Sequence, residues 1–345
     1  PDDPVSQVAR SGQPVIVNEQ TAPDGRPGRD DDTGIVAHSM LGAPLIVQDR
    51  VIGVLEVVNR RDGAVYTHDD VELLTTLAGQ AAIALENARL YAVAVEKGRM
   101  ERELQMASEI QQALLPQRMP EVPGYEVAAL WRAAHETAGD FYDTFYLGDD
   151  RFAVVIGDVS DKGAPAALFM GVVRTMIRST AHVGLPPTDV LQRTNDMLLQ
   201  DADSGMFVTV YHSHFTVGGH SVHVNAGHNP PLLYRRAAAT VEEMPRGGRA
   251  LGWFPDLPLE AVEINMQAGD VIVYFTDGLI EAEDAERQPY GLKRLMRMVQ
   301  RCAQLPAQEL LAAIMQDVDA FRNGVAPFDD ITVVVVRCTG MDTSA

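Results

Sequence analysis

Four short acidic clusters, far apart in the chain, contain the side chains best suited to do chemistry. They are GDFYD (Asp140 and Asp143), GDVSDKG (Asp158), FTDG (Asp277) and DDITVVVV (Asp329 and Asp330). Apolar runs typical of buried strands end just before Asp158 and just before Asp277. Another such run begins just after Asp330, as an antiparallel neighbouring strand would. Strand ends are therefore expected to bring carboxylates from several clusters to one rim of a sheet.

Carboxylates crowded at one rim repel one another and take up protons unless cations neutralise them. Carboxylate and water oxygens are suitable ligands for hard divalent ions such as magnesium and manganese. The alternative is that each Asp is a turn residue, because Asp bonds its own backbone and the neighbouring Gly tolerates positive φ. Turn chemistry does not require Asp at all four places, so the clusters together favour a metal site.

The stretch from about Arg99 to Cys338 resembles the bacterial PPM-type serine/threonine phosphatases of the sporulation-protein-E and sigma-regulator kind. Seven collinear segments carry the resemblance: EIQQALLP (Glu109 to Pro116), AGDFYD (Ala138 to Asp143), GDVSDKGAPAALFM (Gly157 to Met170), SGMFVTV (Ser204 to Val210), NAGHNPPLLY (Asn225 to Tyr234), YFTDGLIEAED (Tyr274 to Asp284) and FDDITVVVV (Phe328 to Val336). Such a set is much more specific than a lone short motif.

The resemblance implies an α+β fold, the αββα sandwich of PPM-type phosphatases, in which helices flank two antiparallel sheets. It also implies two Mn²⁺ or Mg²⁺ ions at one end of the sandwich. Asp158 would bridge both ions, and the backbone carbonyl of Val159 would help to hold the second. Asp277 and Asp329 would complete the first ion, and Asp140 the second. These four aspartates are the predicted catalytic residues.

Two assignments within this ligand set stay open. Asp329 is preferred as the ligand because the family ligand is the first residue of the pair. Asp330 would then orient it, but Asp330 is the alternative ligand and is included in the predicted metal site. Asp143 lies three residues past Asp140, and it would either bind metal or hold the loop.

The implied reaction is hydrolysis of a phosphate ester by a water that two metal ions activate for in-line attack on phosphorus. Eukaryotic members carry a His that protonates the leaving group where this chain has Ser160, and residues 133–139 lack their phosphate-binding Arg. Lys162 and His228 are the available substitutes. Each has an ordinary alternative, as a solvated turn Lys and as a loop His bonded to backbone. Leaving-group protonation and phosphate binding therefore remain unassigned.

Charge and composition exclude several other classes. The chain of 345 residues has a formal net charge of -20, which disfavours nucleic-acid binding. Two cysteines allow no disulfide framework, and no CxxC pattern suggests zinc. No run of about 18 apolar residues could span a membrane, so we expect a cytoplasmic protein. Because the sequence begins with Pro1, we also expect a fragment of a longer chain.

The N-terminal part resembles the C-terminal portion of a GAF domain, a signal-sensing module, over about Pro4 to Tyr91. The matching segments are VARSGQPVIVNE, SMLGAPLIVQDRVIGVLEVVNR and THDDVELLTTLAGQAAIALENARLY. The opening helix and first strands of that family are not found, so we expect a partial, truncated GAF-like α/β domain and assign it no ligand. The predicted domains are residues 1–91 (GAF-like), 92–120 (helical linker) and 121–345 (phosphatase).

A long helix is predicted to connect the two modules. Thr67 followed by Asp70 reads as a capping box, and no Pro occurs from Val71 until Pro116. A heptad seam predicts pairing with a second copy in a coiled coil. Its members are Leu77, Ala81, Ala84, Ala88, Tyr91 and Val95. The alternative is an ordinary amphipathic helix packed on its own domain. The apolar register slips near Gly98, where we expect a hinge.

The leading hypothesis is a metal-dependent protein serine/threonine phosphatase regulated by the GAF and linker region. The resemblance implies a phosphoserine substrate on an anti-sigma-factor antagonist and, with the heptad seam, a homodimer. The alternative is a catalytically weak sensor or interaction protein that uses the phosphatase fold to bind a partner. A hydrolase for small phosphate esters is a third possibility.

Overall fold

The computed structural model describes residues 3–18, 28–29, 36–148, 150–201 and 205–340. The chain divides into two units, residues 1–101 and residues 102–345. Within the described residues, no helix combines the length and the apolar character needed to cross a membrane.

The first unit is built on a small antiparallel sheet. Helix α1 (Pro4–Ser11) precedes a three-stranded sheet in the order β1 (Val15–Val17), β4 (Met40–Val47), β5 (Arg50–Val58), and β2 (Gly28–Arg29) pairs with β3 (Val36–Ala37). The predicted hairpin between β4 and β5 is confirmed. Its turn residues Gln48 and Asp49 both have positive φ, as a type I′ turn requires.

Helix α2 (His68–Leu114) is 47 residues long and begins where the capping signal predicts. The carboxylate of Asp70 accepts hydrogen bonds from the backbone N–H and the hydroxyl of Thr67, both at 2.8 Å. The helix is continuous through Gly98. Leu74, Ala78 and Ala82 pack into the core of the first unit.

The second unit is a sandwich of two five-stranded antiparallel sheets, so the predicted fold class is confirmed. The first sheet has the order β13 (Ala261–Asn265), β10 (His220–Ala226), β9 (Val208–Thr216), β8 (Arg151–Val159), β7 (Phe141–Gly148). The second has the order β12 (Thr240–Glu243), β11 (Leu232–Arg235), β14 (Val271–Phe275), β15 (Ile331–Cys338), β6 (Tyr125–Arg132).

Helices cover the outer face of each sheet. Helices α3 (Ala164–Ala181) and α4 (Pro187–Asp201) pack on strands of the first sheet, and α6 (Leu292–Cys302) and α7 (Ala307–Arg322) on the second. The short α5 (Asp277–Ile280) follows β14 directly. Phe152 and Tyr211 of the first sheet and Tyr274 of the second are fully buried. The largest apolar side chains therefore fix the two sheets against each other.

The sheet assignment corrects one sequence-based expectation. Asp158 lies on β8 in the first sheet, whereas Asp277 and Asp329 flank β14 and β15 in the second. The acidic clusters therefore do not share the rim of one sheet. They lie at one end of the sandwich. The sequence did not indicate this arrangement, because apolar runs predict strands but carry no signal of which strands pair.

Candidate active site

The acidic residues converge from both sheets. Asp140 immediately precedes β7, whose first residue Phe141 pairs with Gly157 of β8, so Asp140 lies at the start of the strand that neighbours the strand of Asp158. Asp277 and Asp329 approach from the second sheet, close enough for their charges to act on Asp158. The structure therefore brings together the four aspartates that were predicted to be catalytic.

Asp158 has the most unfavourable surroundings for a charged carboxylate. Burial, and then the negative charges of Asp277, Asp329 and Asp330, raise the pKa of Asp158 to about 7, whereas a hydrogen bond with Asp140 opposes the shift. A carboxyl surrounded by others of its kind favours either a proton or a cation. The position of Asp158 is suited to a divalent ion.

Asp140 is held rigidly inside the sandwich and is only 2% exposed. Its Oδ2 atom accepts hydrogen bonds from the hydroxyls of Thr276 at 2.6 Å and Thr332 at 2.9 Å. Burial, and then the charge of Asp158, raise the pKa of Asp140 well above its usual range. The two threonines fix one carboxylate oxygen of Asp140 in place between the sheets.

Asp329 and Asp330 have different surroundings. The carboxylate of Asp330 accepts hydrogen bonds from the backbone N–H of Ala134 at 2.8 Å and of Gly139 at 2.9 Å. Its own N–H donates to Oδ1 of Asp329 at 3.0 Å. Lys162 Nζ lies 3.0 Å from Oδ2 of Asp329. Asp330 thus ties the loop before β7 to the start of β15, and Asp329 contacts a lysine.

The carbonyl of Val159 faces a glycine. A Cβ atom on Gly139 would lie 2.9 Å from the Val159 oxygen and 3.6 Å from Oδ1 of Asp158. Any side chain at Gly139 would therefore crowd both groups, and glycine leaves the space between them open.

Asp143 lies outside this group of residues. It is 1% exposed and forms ion pairs with Arg174 at 3.1 Å and Arg178 at 3.2 Å, both on α3. Of the two roles that were open for Asp143, its contacts match the structural one: it joins β7 to α3.

Lys162 and His228, the residues available for phosphate binding and leaving-group protonation, both have protein partners. His228 is 7% exposed, its Nδ1 lies 2.8 Å from the Thr209 hydroxyl, and burial lowers its pKa to about 4. A neutral, enclosed imidazole is poorly suited to donate a proton near pH 7. Ser160 accepts a hydrogen bond from the Phe207 N–H at 3.0 Å. Lys162 contacts the site through its ion pair with Asp329.

Two observations bear on metal binding. Among the described residues, no group of three or more His, Cys, Asp or Glu side chains is positioned to hold a metal ion. The donor set nevertheless fits a hard divalent ion, because it consists of partly buried carboxylates that raise one another's pKa. Such side chains close around an ion only when its charge offsets their repulsion.

Several residues that position the site gave no signal in the sequence. Thr276 and Thr332 lie inside the quoted motifs, but their contact partner Asp140 is 136 and 192 positions away. Gln111 of α2 is 2% exposed and its side chain bonds the backbone N–H and C=O of Ala138. Only a signal linking distant positions could have revealed these contacts.

Comparisons with known proteins identify the family of this chain. The family model described as Stage II sporulation protein E (SpoIIE) matches residues 148–339, and a GAF domain model matches residues 1–86. Protein IcfG of Synechocystis is 28% identical over 291 residues, which are 75% of this chain and 45% of IcfG. Phosphoserine phosphatase RsbU of Bacillus subtilis is 27% identical over 236 residues, 68% of this chain and 70% of RsbU. The chain thus spans less than half the length of IcfG.

Solved structures show the same fold. The SiaA-PP2C domain of Pseudomonas aeruginosa superimposes with a TM-score of 0.63 at 20% identity, covering 71% of this chain and 99% of that domain. The RsbU and RsbW domains of a Mycobacterium tuberculosis protein give a TM-score of 0.56 at 26% identity, covering 65% and 64% of the respective chains. The protein therefore belongs to the SpoIIE family of PPM-type phosphatases and carries a GAF domain in its N-terminal part.

Proposed function

We propose that this protein is a metal-dependent phosphatase that removes phosphate from phosphoserine in a protein substrate. The observation that carries the proposal is the convergence of Asp140 and Asp158 from one sheet with Asp277 and Asp329 from the other. The similarity to a phosphoserine phosphatase, RsbU, supports the reaction type.

Two Mn²⁺ or Mg²⁺ ions, when bound, would neutralise phosphate charge and acidify a water for attack on phosphorus. Asp158 would be shared by the two ions, Asp277 and Asp329 would help to hold the first, and Asp140 and the Val159 carbonyl would help to hold the second. The hydroxyls of Thr276 and Thr332 fix one oxygen of Asp140 and would hold this carboxylate in place for an ion.

The contacts of the Asp329–Asp330 pair support Asp329 as the ligand. Both carboxylate oxygens of Asp330 accept backbone hydrogen bonds, and its N–H orients Asp329. Lys162 pairs with Asp329. We propose that Lys162 brings a positive charge to the edge of the site. A phosphate oxygen of the substrate would replace the Asp329 carboxylate as the partner of the Lys162 ammonium group.

We further infer that the substrate is an anti-sigma-factor antagonist and that the GAF domain (residues 1–91) and linker (92–120) regulate the phosphatase domain (121–345). The family resemblance supports this inference. The heptad seam of α2 supports a homodimer, because Leu77, Tyr91 and Val95 are 48%, 73% and 50% exposed in the single chain. Light scattering is expected to show a dimer, and a monomer at high concentration would contradict this part.

The alternative is a binding protein with little catalytic activity. One observation supports it: within the described part of the chain, no group of three or more His, Cys, Asp or Glu side chains is positioned to hold a metal ion. The two functions differ in a simple assay. We expect the full chain with Mn²⁺ to release phosphate from a phosphoserine protein, and EDTA to abolish the release. Substrate binding without release under any divalent metal would favour the alternative, and release from p-nitrophenyl phosphate alone would indicate a small-ester hydrolase.

A further inference from the structure

A cluster of exposed aromatic side chains lies beside the acidic site. Trp253 is 58% exposed and Phe254 39%, and their rings stack with centroids 5.7 Å apart. Phe207 stacks against Trp253 with a centroid distance of 4.5 Å. We call Phe207, Trp253 and Phe254 the aromatic surface. Contiguous exposed aromatic groups mark interaction sites, because burying them against a partner is strongly favourable.

The segment that displays these rings is firmly anchored. Leu251, which is fully buried, pairs with Val208 through two backbone hydrogen bonds of 2.8 and 3.0 Å. The buried side chain of Asn195 accepts a hydrogen bond from the Gly252 N–H at 2.8 Å and donates one to the Phe254 carbonyl at 2.9 Å. The framework of the domain therefore fixes the rings in their exposed positions, which lowers the entropy cost of binding a partner.

The aromatic surface is continuous with the loop that leaves the acidic site. Ser160, two residues after Asp158, donates its N–H to the Phe207 carbonyl at 2.9 Å, and its Oγ accepts from the Phe207 N–H at 3.0 Å. The same loop carries Lys162, whose Nζ lies 4.6 Å from the ring centroid of Phe328. Phe328 is 76% exposed. This loop thus contacts the aromatic surface through Ser160 and the exposed ring of Phe328 through Lys162.

A cationic side chain lies at the edge of the aromatic surface. The guanidinium of Arg249 lies 4.9 Å from the Phe254 ring centroid, and Arg249 is exposed. The chain as a whole has a net charge of -20, so a cation here stands out against an acidic background. A small phosphate ester would need only the acidic site, whereas a phosphorylated polypeptide would reach these rings as well.

We propose that the aromatic surface, with Arg249 at its edge, binds the polypeptide segment flanking the phosphoserine of the substrate and selects an aliphatic side chain next to it. This proposal rests on the proposed phosphatase function and narrows its substrate class. Binding energy from a group remote from phosphorus raises kcat/KM for substrates that carry it and leaves the chemistry at phosphorus unchanged.

The test compares Trp253→Ala with wild type in the full chain with Mn²⁺. The substrates are p-nitrophenyl phosphate and two phosphoserine peptides of equal length and charge, one with Leu and one with Gly on both sides of the phosphoserine. We expect kcat/KM for the Leu peptide to fall about 10-fold, as for an interface tryptophan, and the Gly peptide and the small ester to stay within about twofold. An unchanged preference for Leu, or an equal loss on the small ester, would overturn the proposal.

Tyr146→Ala is the matched control. Tyr146 is 50% exposed and pairs with Phe152 near the start of β8, at the opposite end from Asp158. This variant is expected to treat all three substrates like wild type. If Tyr146→Ala lowers kcat/KM for the Leu peptide as much as Trp253→Ala does, the loss is not specific to the aromatic surface, and the proposal is overturned.

A binding measurement separates this proposal from the phosphatase function. Titrating the full chain with the Leu peptide should change its tryptophan fluorescence, the Gly peptide should not, and Trp253→Phe should abolish the change. If wild type hydrolyses none of the substrates, the proposed function fails. The titration still shows whether the aromatic surface binds the Leu peptide. A fluorescence change caused only by self-association or by phosphatidylglycerol vesicles would assign the surface to another occupant and overturn the proposal.

Discussion

Replacing Asp158 by Asn is expected to lower kcat for phosphoserine hydrolysis by about 10³-fold or more. Asp158 lies where the carboxylates of both sheets meet, so the substitution removes the charge proposed to be shared by both ions. Metal assistance contributes several kcal/mol to such reactions, and each ~1.4 kcal/mol is a factor of ten in rate. Phosphate release at saturating substrate and Mn²⁺ measures the effect.

Two controls separate this loss from unfolding. Asp150→Asn makes the same charge change at an exposed residue at the other end of β8, in a left-handed backbone conformation (φ 57°) that Asn tolerates. It should be fully active.

In EDTA, Asp158→Asn should be at least as stable as wild type at pH 8. A carboxyl whose folded pKa is raised to about 7 stabilises the fold below about pH 4 and loses that contribution as the pH rises through 7. Equal activity of wild type and Asp158→Asn would contradict the account.

Replacing Gly278 by Ala is the second change with a large expected effect. A Cβ atom there would lie 2.0 Å from the carbonyl oxygen of Asp330 and 3.2 Å from the carbonyl carbon of Asp329. Backbone must therefore move, and the segments carrying Asp277 and Asp329 move apart. We expect a loss of about 1–3 kcal/mol of stability, typical of overpacking, and a fall of about 10²-fold in kcat, typical of a misplacement of about 1 Å.

Gly79→Ala is the control for this substitution. Gly79 lies inside α2, and a Cβ atom there would meet nothing within 4 Å. Because Ala favours a helix over Gly by about 1 kcal/mol, this variant should be as stable as wild type or more so, with full activity. Thermal unfolding and phosphate release of both variants test the pair. A fully active Gly278→Ala would show that the approach of α5 to the Asp329–Asp330 backbone does not matter.

The strands that carry the aspartates were predictable from local pattern. The apolar run 271–275 is β14, and the run 331–336 lies within β15. The run 152–156 lies within β8, but that strand extends through Asp158 to Val159, because Gly157 and Asp158 continue the backbone pairing with β9. Local hydrophobicity predicts where a strand lies better than where its pairing stops.

The arrangement around the site was less predictable, because it depends on contacts between distant residues. Nothing local to Asp140 indicates that Thr276 and Thr332 would hold it. The need for glycine at position 278 arises from a backbone more than 50 positions away. At Gly98, low helix propensity predicted a hinge, yet α2 is helical throughout, since favourable residues on both sides outweigh a single glycine.

The most direct test of the two-metal account is calorimetric titration of the EDTA-treated full chain with Mn²⁺. If Asp158 bridges two ions held by Asp140, Asp277 and Asp329, wild type should bind two ions per chain, and Asp158→Asn should lose at least one of them. Binding of no Mn²⁺ by wild type, or the same stoichiometry and affinity in Asp158→Asn, would contradict the account.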